Sequence, residues 1–80
     1  MTPAPSDSHS ADTSLASEAH QALRDEKYVE ALAHYERLLN AERNPEKIVN
    51  YQYYRGQSLE GLKRWPEAIE SYRMILGFPF

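Results

Sequence analysis

The chain reads as an all-α protein of four helices, arranged as two helix-turn-helix hairpins. Three observations lead there. Apolar residues recur at three- and four-residue spacing through most of the chain, which lines one face of a helix. The stretch from Trp65 to Leu76, slid back 37 residues, lands on Tyr28 to Leu39. Glu30 then meets Glu67, Ala31 meets Ala68, Tyr35 meets Tyr72 and Leu39 meets Leu76, with Tyr28 opposite Trp65. Helix-starting residues also stand where these stretches begin, at Asn44-Pro45 and Pro66. Proline suits a first turn because its missing N–H is one the helix could not pair.

Taken in order, residues 1–13 hold Pro3, Pro5, Ser6, Asp7, Ser8 and Ser10. They offer little to bury, so a disordered N-terminal tail is expected. Asp12, Thr13 or Ser14 supplies the cap of a first helix, through a short side chain that accepts from free N–H groups. Its stripe is Leu15, Ala19, Ala22 and Leu23, ending near Arg24. Asp25-Glu26-Lys27 is a polar turn. The second helix runs from Tyr28 to about Ala41, with Ala31, Leu32, Tyr35, Leu38 and Leu39 on one face.

Asn44-Pro45-Glu46 combines a capping side chain, an early proline and an acid facing the helix dipole. The third helix runs to about Leu62, with Ile48, Tyr51, Leu59 and Leu62 sharing a face and Tyr53 and Tyr54 projecting elsewhere. A glycine inside a helix costs roughly 1 kcal/mol relative to alanine, so Gly56 implies close approach of a neighbour. Ala19 holds the matching place in the first helix. Ala31 and Ala68 are the small residues expected to face them. The fourth helix covers Trp65 to Leu76, and Gly77 is expected to end it in a left-handed conformation. Phe78-Pro79-Phe80 forms an apolar tail. With Ile69, Ile75 and Leu76 on the last helix, that end should be covered by the tail or meet another chain, a second copy included.

Eighty residues make one small domain, and a chain this short buries only roughly 60% of its surface. Without cysteine, disulfides and thiolate metal sites are excluded. The net charge is -3, of which Asp7 and Asp12 supply two units. The balanced remainder argues against nucleic acid or an anionic membrane as partner. No apolar run is long enough to span a bilayer, and the N-terminus lacks the pattern of a secretory signal. A cytoplasmic location is expected.

This grid resembles the tetratricopeptide repeat (TPR) family, a 34-residue helix-turn-helix unit. Gly56, Leu59, Trp65, Ala68, Tyr72 and Ile75 match its pattern in the second copy, and Ala19, Ala22, Tyr28, Ala31, Tyr35 and Leu38 in the first. The resemblance covers residues 14–76. It implies two hairpins, about 14–43 and 44–77, stacked as a short right-handed α-solenoid. The chain departs from the family in its 37-residue offset, with about three residues added around Glu42 to Lys47. Gln52 and Arg55 also replace usually apolar residues, so the third helix should be less firmly buried.

The periodicity assigns Tyr28, Tyr35, Trp65 and Tyr72 to the core rather than to an aromatic ligand box. His20 and His34 come from paired helices but lack a third ligand for zinc. Glu30, Glu36, Glu42, Glu67 and Glu70 lie opposite the apolar stripes as solvated charge. With no phosphate loop, nucleophile elbow or zinc-binding helix motif, neither an enzyme nor a cofactor is expected.

In the resembling family, the first helices of successive repeats line a concave groove for a partner's peptide or helix. By matching position, that groove carries Ala16, His20 and Arg24 on the first helix and Asn50, Tyr53, Gln57 and Glu60 on the third. Its polar, nearly neutral lining lacks the lysine and asparagine set with which some members clamp acidic carboxylate ends. The implied function is a protein-interaction adaptor, with Tyr53 as its apolar anchor. The alternative is a structural module whose repeats stack on another copy or on a longer array.

Overall fold

The computed structural model describes residues 7–77, with side chains from residue 14. Four helices follow one another: α1 Asp7–Arg24, α2 Tyr28–Ala41, α3 Pro45–Gly61 and α4 Trp65–Leu76. Each packs on its neighbour in the chain, α1 on α2, α2 on α3 and α3 on α4.

Helix α1 begins at Asp7, ahead of the expected cap at Asp12 to Ser14. The helical part therefore takes in residues 7–13 of the expected disordered tail. Extending an existing helix adds one hydrogen bond per residue without a second nucleation cost, so a polar composition does not by itself stop it. Residues 1–6 and the Phe78-Pro79-Phe80 tail lie outside the described residues.

The repeat is written into the backbone. Glu26 and Lys63, 37 positions apart, are the two non-glycine residues with positive φ among the described residues, at 61° and 62°. Around Glu26, its N–H donates to Leu23 and that of Lys27 to Ala22, at 3.0 and 2.8 Å. Around Lys63, its N–H donates to Glu60 and that of Arg64 to Leu59, both at 2.9 Å. Each pair closes the end of a hairpin's first helix in the same Schellman arrangement, which satisfies otherwise orphaned carbonyls. Gly77, by contrast, has φ −85°, so the expected left-handed stop is not there. The left-handed positions are the tight turns within each hairpin, where the chain must reverse in three residues. At the start of α3, Asn44 Oδ1 accepts from the N–H groups of Glu46 and Lys47, at 2.9 and 3.4 Å, as its sequence position predicts.

Two apolar clusters hold the helices together. Ala19, Ala22, Ala31, Tyr35, Leu38 and Tyr51 join α1, α2 and α3, while Leu32, Leu59 and Ala68 join α2, α3 and α4. Tyr35 and Leu59 are fully buried, each such side chain being worth about 1.5–3 kcal/mol. A Cβ added to Gly56 would stand 2.5 and 2.6 Å from Cε1 and Cζ of Tyr72. The glycine thus makes room for a ring, and the atoms nearest it belong to Tyr72 rather than to Ala68. Gly61, which sequence reasoning passes over, makes room for the ring of Tyr28 in the same way across the α2–α3 interface.

Two core expectations are corrected. Trp65 is 52% exposed, although Tyr28, its counterpart, is half-buried against α3. Tyr28 is covered because a helix follows its hairpin, and no described residue plays that part for Trp65. Gln52 is only 8% exposed, so α3 is buried more deeply at this point than its polarity suggested. The half-buried Arg55 reaches two neighbouring helices, with Nη1 donating to Ser71 Oγ at 2.5 Å and Nη2 lying 3.3 Å from Glu36 Oε2.

Candidate binding groove

The polar residues that matter project from α1 and α3, which both pack against α2. A cleft of about 520 Å³ is lined by His20, Leu23, Arg24, Tyr54 and Gln57. A second of about 460 Å³ shares Leu23, Arg24 and Gln57 and extends to Tyr28 and Glu60. Four expected groove residues, His20, Arg24, Gln57 and Glu60, are therefore brought together between α1 and α3. Asn50 is exposed and lies on neither lining.

Tyr53 also lies on neither lining. It is 47% exposed, with its ring set edge-on to Tyr54 at 5.4 Å and 6.1 Å from that of Tyr72. Gln57 Nε2 donates to its hydroxyl at 3.4 Å, which ties it to the cleft's edge. The ring inside the cleft is Tyr54, stacked on Tyr35 at 5.5 Å with planes 21° apart and edge-on to His20 at 4.9 Å. Adjacent residues on a helix point about 100° apart, and two neighbouring tyrosines give no sequence signal for which one turns inward. Leu23 and Tyr28 are further lining residues absent from the sequence-based set. Leu23 was legible in principle, three residues beyond His20 on the same helix face.

The floor of the cleft is fixed by hydrogen bonds. The Tyr35 hydroxyl and His20 Nδ1 share a hydrogen bond at 2.5 Å, whose direction follows the imidazole tautomer. Burial, and after it the Arg24 guanidinium, hold His20 below its ordinary pKa. Arg24 Nη2 donates to Gln21 Oε1 at 2.8 Å, and Gln21 Nε2 donates to the Asp25 carboxylate at 3.2 Å, so the cation is steadied along α1. On the far side of α3, burial and then the Glu60 carboxylate push the Tyr72 hydroxyl up to about 12. At neutral pH both tyrosines stay protonated. A guanidinium, an amide and a carboxylate thus surround a floor of tyrosine rings.

His34 lines a different cleft, with Glu18, Gln21, Asp25, Lys27 and Glu30, so the two imidazoles of the paired helices serve separate surfaces. Among the described residues no three His, Asp or Glu side chains gather as a metal site. Nor is any helix among them long and apolar enough to cross a membrane. Of the carboxylates read as solvated, Glu36 meets Arg55, and Glu67 meets Arg64 at 2.6 Å.

In class, this is an all-helical chain of two similar hairpins with a tyrosine-floored cleft between alternate helices. Comparisons with protein-family profiles, with curated proteins and with solved structures each return no match.

Proposed function

We propose that the chain is a TPR-like interaction adaptor, its two hairpins forming a short right-handed α-solenoid that takes a partner's extended segment or helix between α1 and α3. The observation that carries this reading is the convergence of His20, Arg24 and Gln57 around Tyr54, with Glu60 in the adjoining cleft that shares Arg24 and Gln57. Tyrosine offers a large contact area for little conformational cost. Arg24 and Gln57 hydrogen-bond a peptide's carbonyl and N–H groups, and Tyr53 at the rim adds a second apolar contact. The mixed polarity suits a neutral segment better than a strongly acidic or basic one.

Two hairpins make a short groove, so affinity is expected near the micromolar range, where a few residues carry most of the binding energy. The test is selection of a binding peptide from a random display library, followed by calorimetry. Tyr53→Ala and Gln57→Ala should each weaken binding by about 1–3 kcal/mol, with helicity retained. Arg37→Ala, on the exposed side of α2, should leave it unchanged. Equal binding by all three variants would put the site elsewhere.

A further inference from the structure

The two hairpins serve as controls for each other, and one surface differs sharply between them. On α2, Leu32 is 6% exposed, packed with Leu59 and Ala68, and Tyr28 is covered by α3 at Gly61. The matching residues on α4 are Ile69 at 55% and Trp65 at 52%, and Leu76 extends the stripe at 85%. Positions 65, 69 and 76 lie on one side of a helix. This is an apolar face of the kind α3 covers on α2, and among the described residues none covers it on α4.

We propose that this face binds the same face of a second copy, with the two α4 helices antiparallel about a twofold axis near Ser71. Charge placement supports a second copy as occupant, and the polarity of α1 selects this arrangement of it. Arg73 stands 37 residues after Glu36, whose ion pair with Arg55 crosses the α2–α3 interface at 3.3 Å. Arg73 therefore flanks the open stripe as a cation where its counterpart is paired with the covering helix. In an antiparallel pair centred near Ser71, Arg73 faces Glu70 of the other copy, twice by symmetry, and Trp65 lies against Leu76. Head-to-tail stacking would instead set α1 of one copy on α4 of the next. There Glu18, in the place of Arg55, would meet Arg73. But Ser14, Ser17 and Asp25 stand exposed and polar in the places of Tyr51, Tyr54 and Leu62, and Ala22, in the place of Leu59, is small and already buried, so the stripe would be stranded. A self-complementary patch closes as a dimer, whereas head-to-tail contacts grow open-ended.

The α4 stripe is separate from the α1–α3 cleft, so the two readings fail independently. Trp65 is the only tryptophan, which makes its fluorescence a direct reporter of this interface. Sedimentation velocity and Trp65 emission would be followed on the full chain from about 5 to 500 µM, the range in which small interfaces associate. A monomer–dimer equilibrium with a blue shift of Trp65 on association is expected. Ile69→Lys should abolish both while preserving helicity. Glu70→Arg and Arg73→Glu should each weaken the dimer about tenfold, and together restore it. A monomer at every concentration with unchanged emission, growth into larger oligomers, a dimer indifferent to Ile69→Lys, or charge reversals that do not compensate would each overturn the proposal.

Discussion

The ring of Tyr72 lies over Gly56, its Cε1 2.5 Å from where a Cβ would stand. In the first hairpin Tyr35 and Ala19 hold the same two places, and there a methyl group is accommodated, fully buried. The second hairpin is thus the tighter of the two at this point. Gly56→Ala gains about 1 kcal/mol of helix propensity and meets an overpacking cost of about 1–3 kcal/mol. A net loss near 1 kcal/mol is expected, about 4–8 °C in Tm for a domain this size. The diagnostic is non-additivity. In a Tyr72→Ala background, Gly56→Ala should become stabilising, because the atoms it strikes are gone.

Glu26 and Lys63 close the two hairpin turns with positive φ, where an L side chain is strained. Lys63→Gly removes that strain, roughly 1–2 kcal/mol for a left-handed residue, against the larger entropy glycine loses on folding. A gain of about 0.5–1 kcal/mol is expected in chemical denaturation, with m unchanged. Glu26→Gly should act alike, since its turn repeats the same hydrogen bonds.

Gln52 is buried beside Met74, its Nε2 3.4 Å from the sulfur and its Oε1 without a partner among the described residues. A buried polar atom left unpaired costs about 1–3 kcal/mol. The first hairpin carries Leu15 at this position. Gln52→Leu should therefore raise stability by about 1 kcal/mol, visible as a higher denaturation midpoint.

His20 is held below its ordinary pKa by burial and then by Arg24. Between that lowered value and roughly 6.5 the unfolded chain binds the proton and the folded chain does not. Stability is then full above that window and falls as pH drops through it. His20→Asn, whose side-chain amide can still hydrogen-bond Tyr35 in either direction, should show a shallower loss between pH 7 and 5. Identical slopes for parent and variant in urea melts at each pH would exclude His20 as the source.

How much of this was legible in the sequence follows from what each feature depends on. Helices α2, α3 and α4 rest on local periodicity and caps such as Asn44, so their limits fall within a residue or so of those expected. The meeting of His20 and Gln57 follows from the repeat, which sets these two equivalent residues side by side, and Arg24 and Glu60 lie about one turn further along their helices. Tyr54 and Tyr53 were not separable, because their roles turn on rotation of α3 about its own axis. Trp65 is exposed because none of the described helices packs on it, and no local pattern reveals whether a face will be covered. Gly77 misled because glycine permits a left-handed stop without requiring one.

The central claim is that a partner segment lies between α1 and α3, over Tyr54. The most direct measurement is a two-dimensional amide NMR titration of the full chain with a display-selected peptide. Shift changes should concentrate at His20, Leu23, Arg24, Tyr53, Tyr54, Gln57 and Glu60, and Gln57→Ala should weaken them all together. Changes clustered instead at Trp65, Ile69 and Leu76, or along the exposed side of α2, would contradict it.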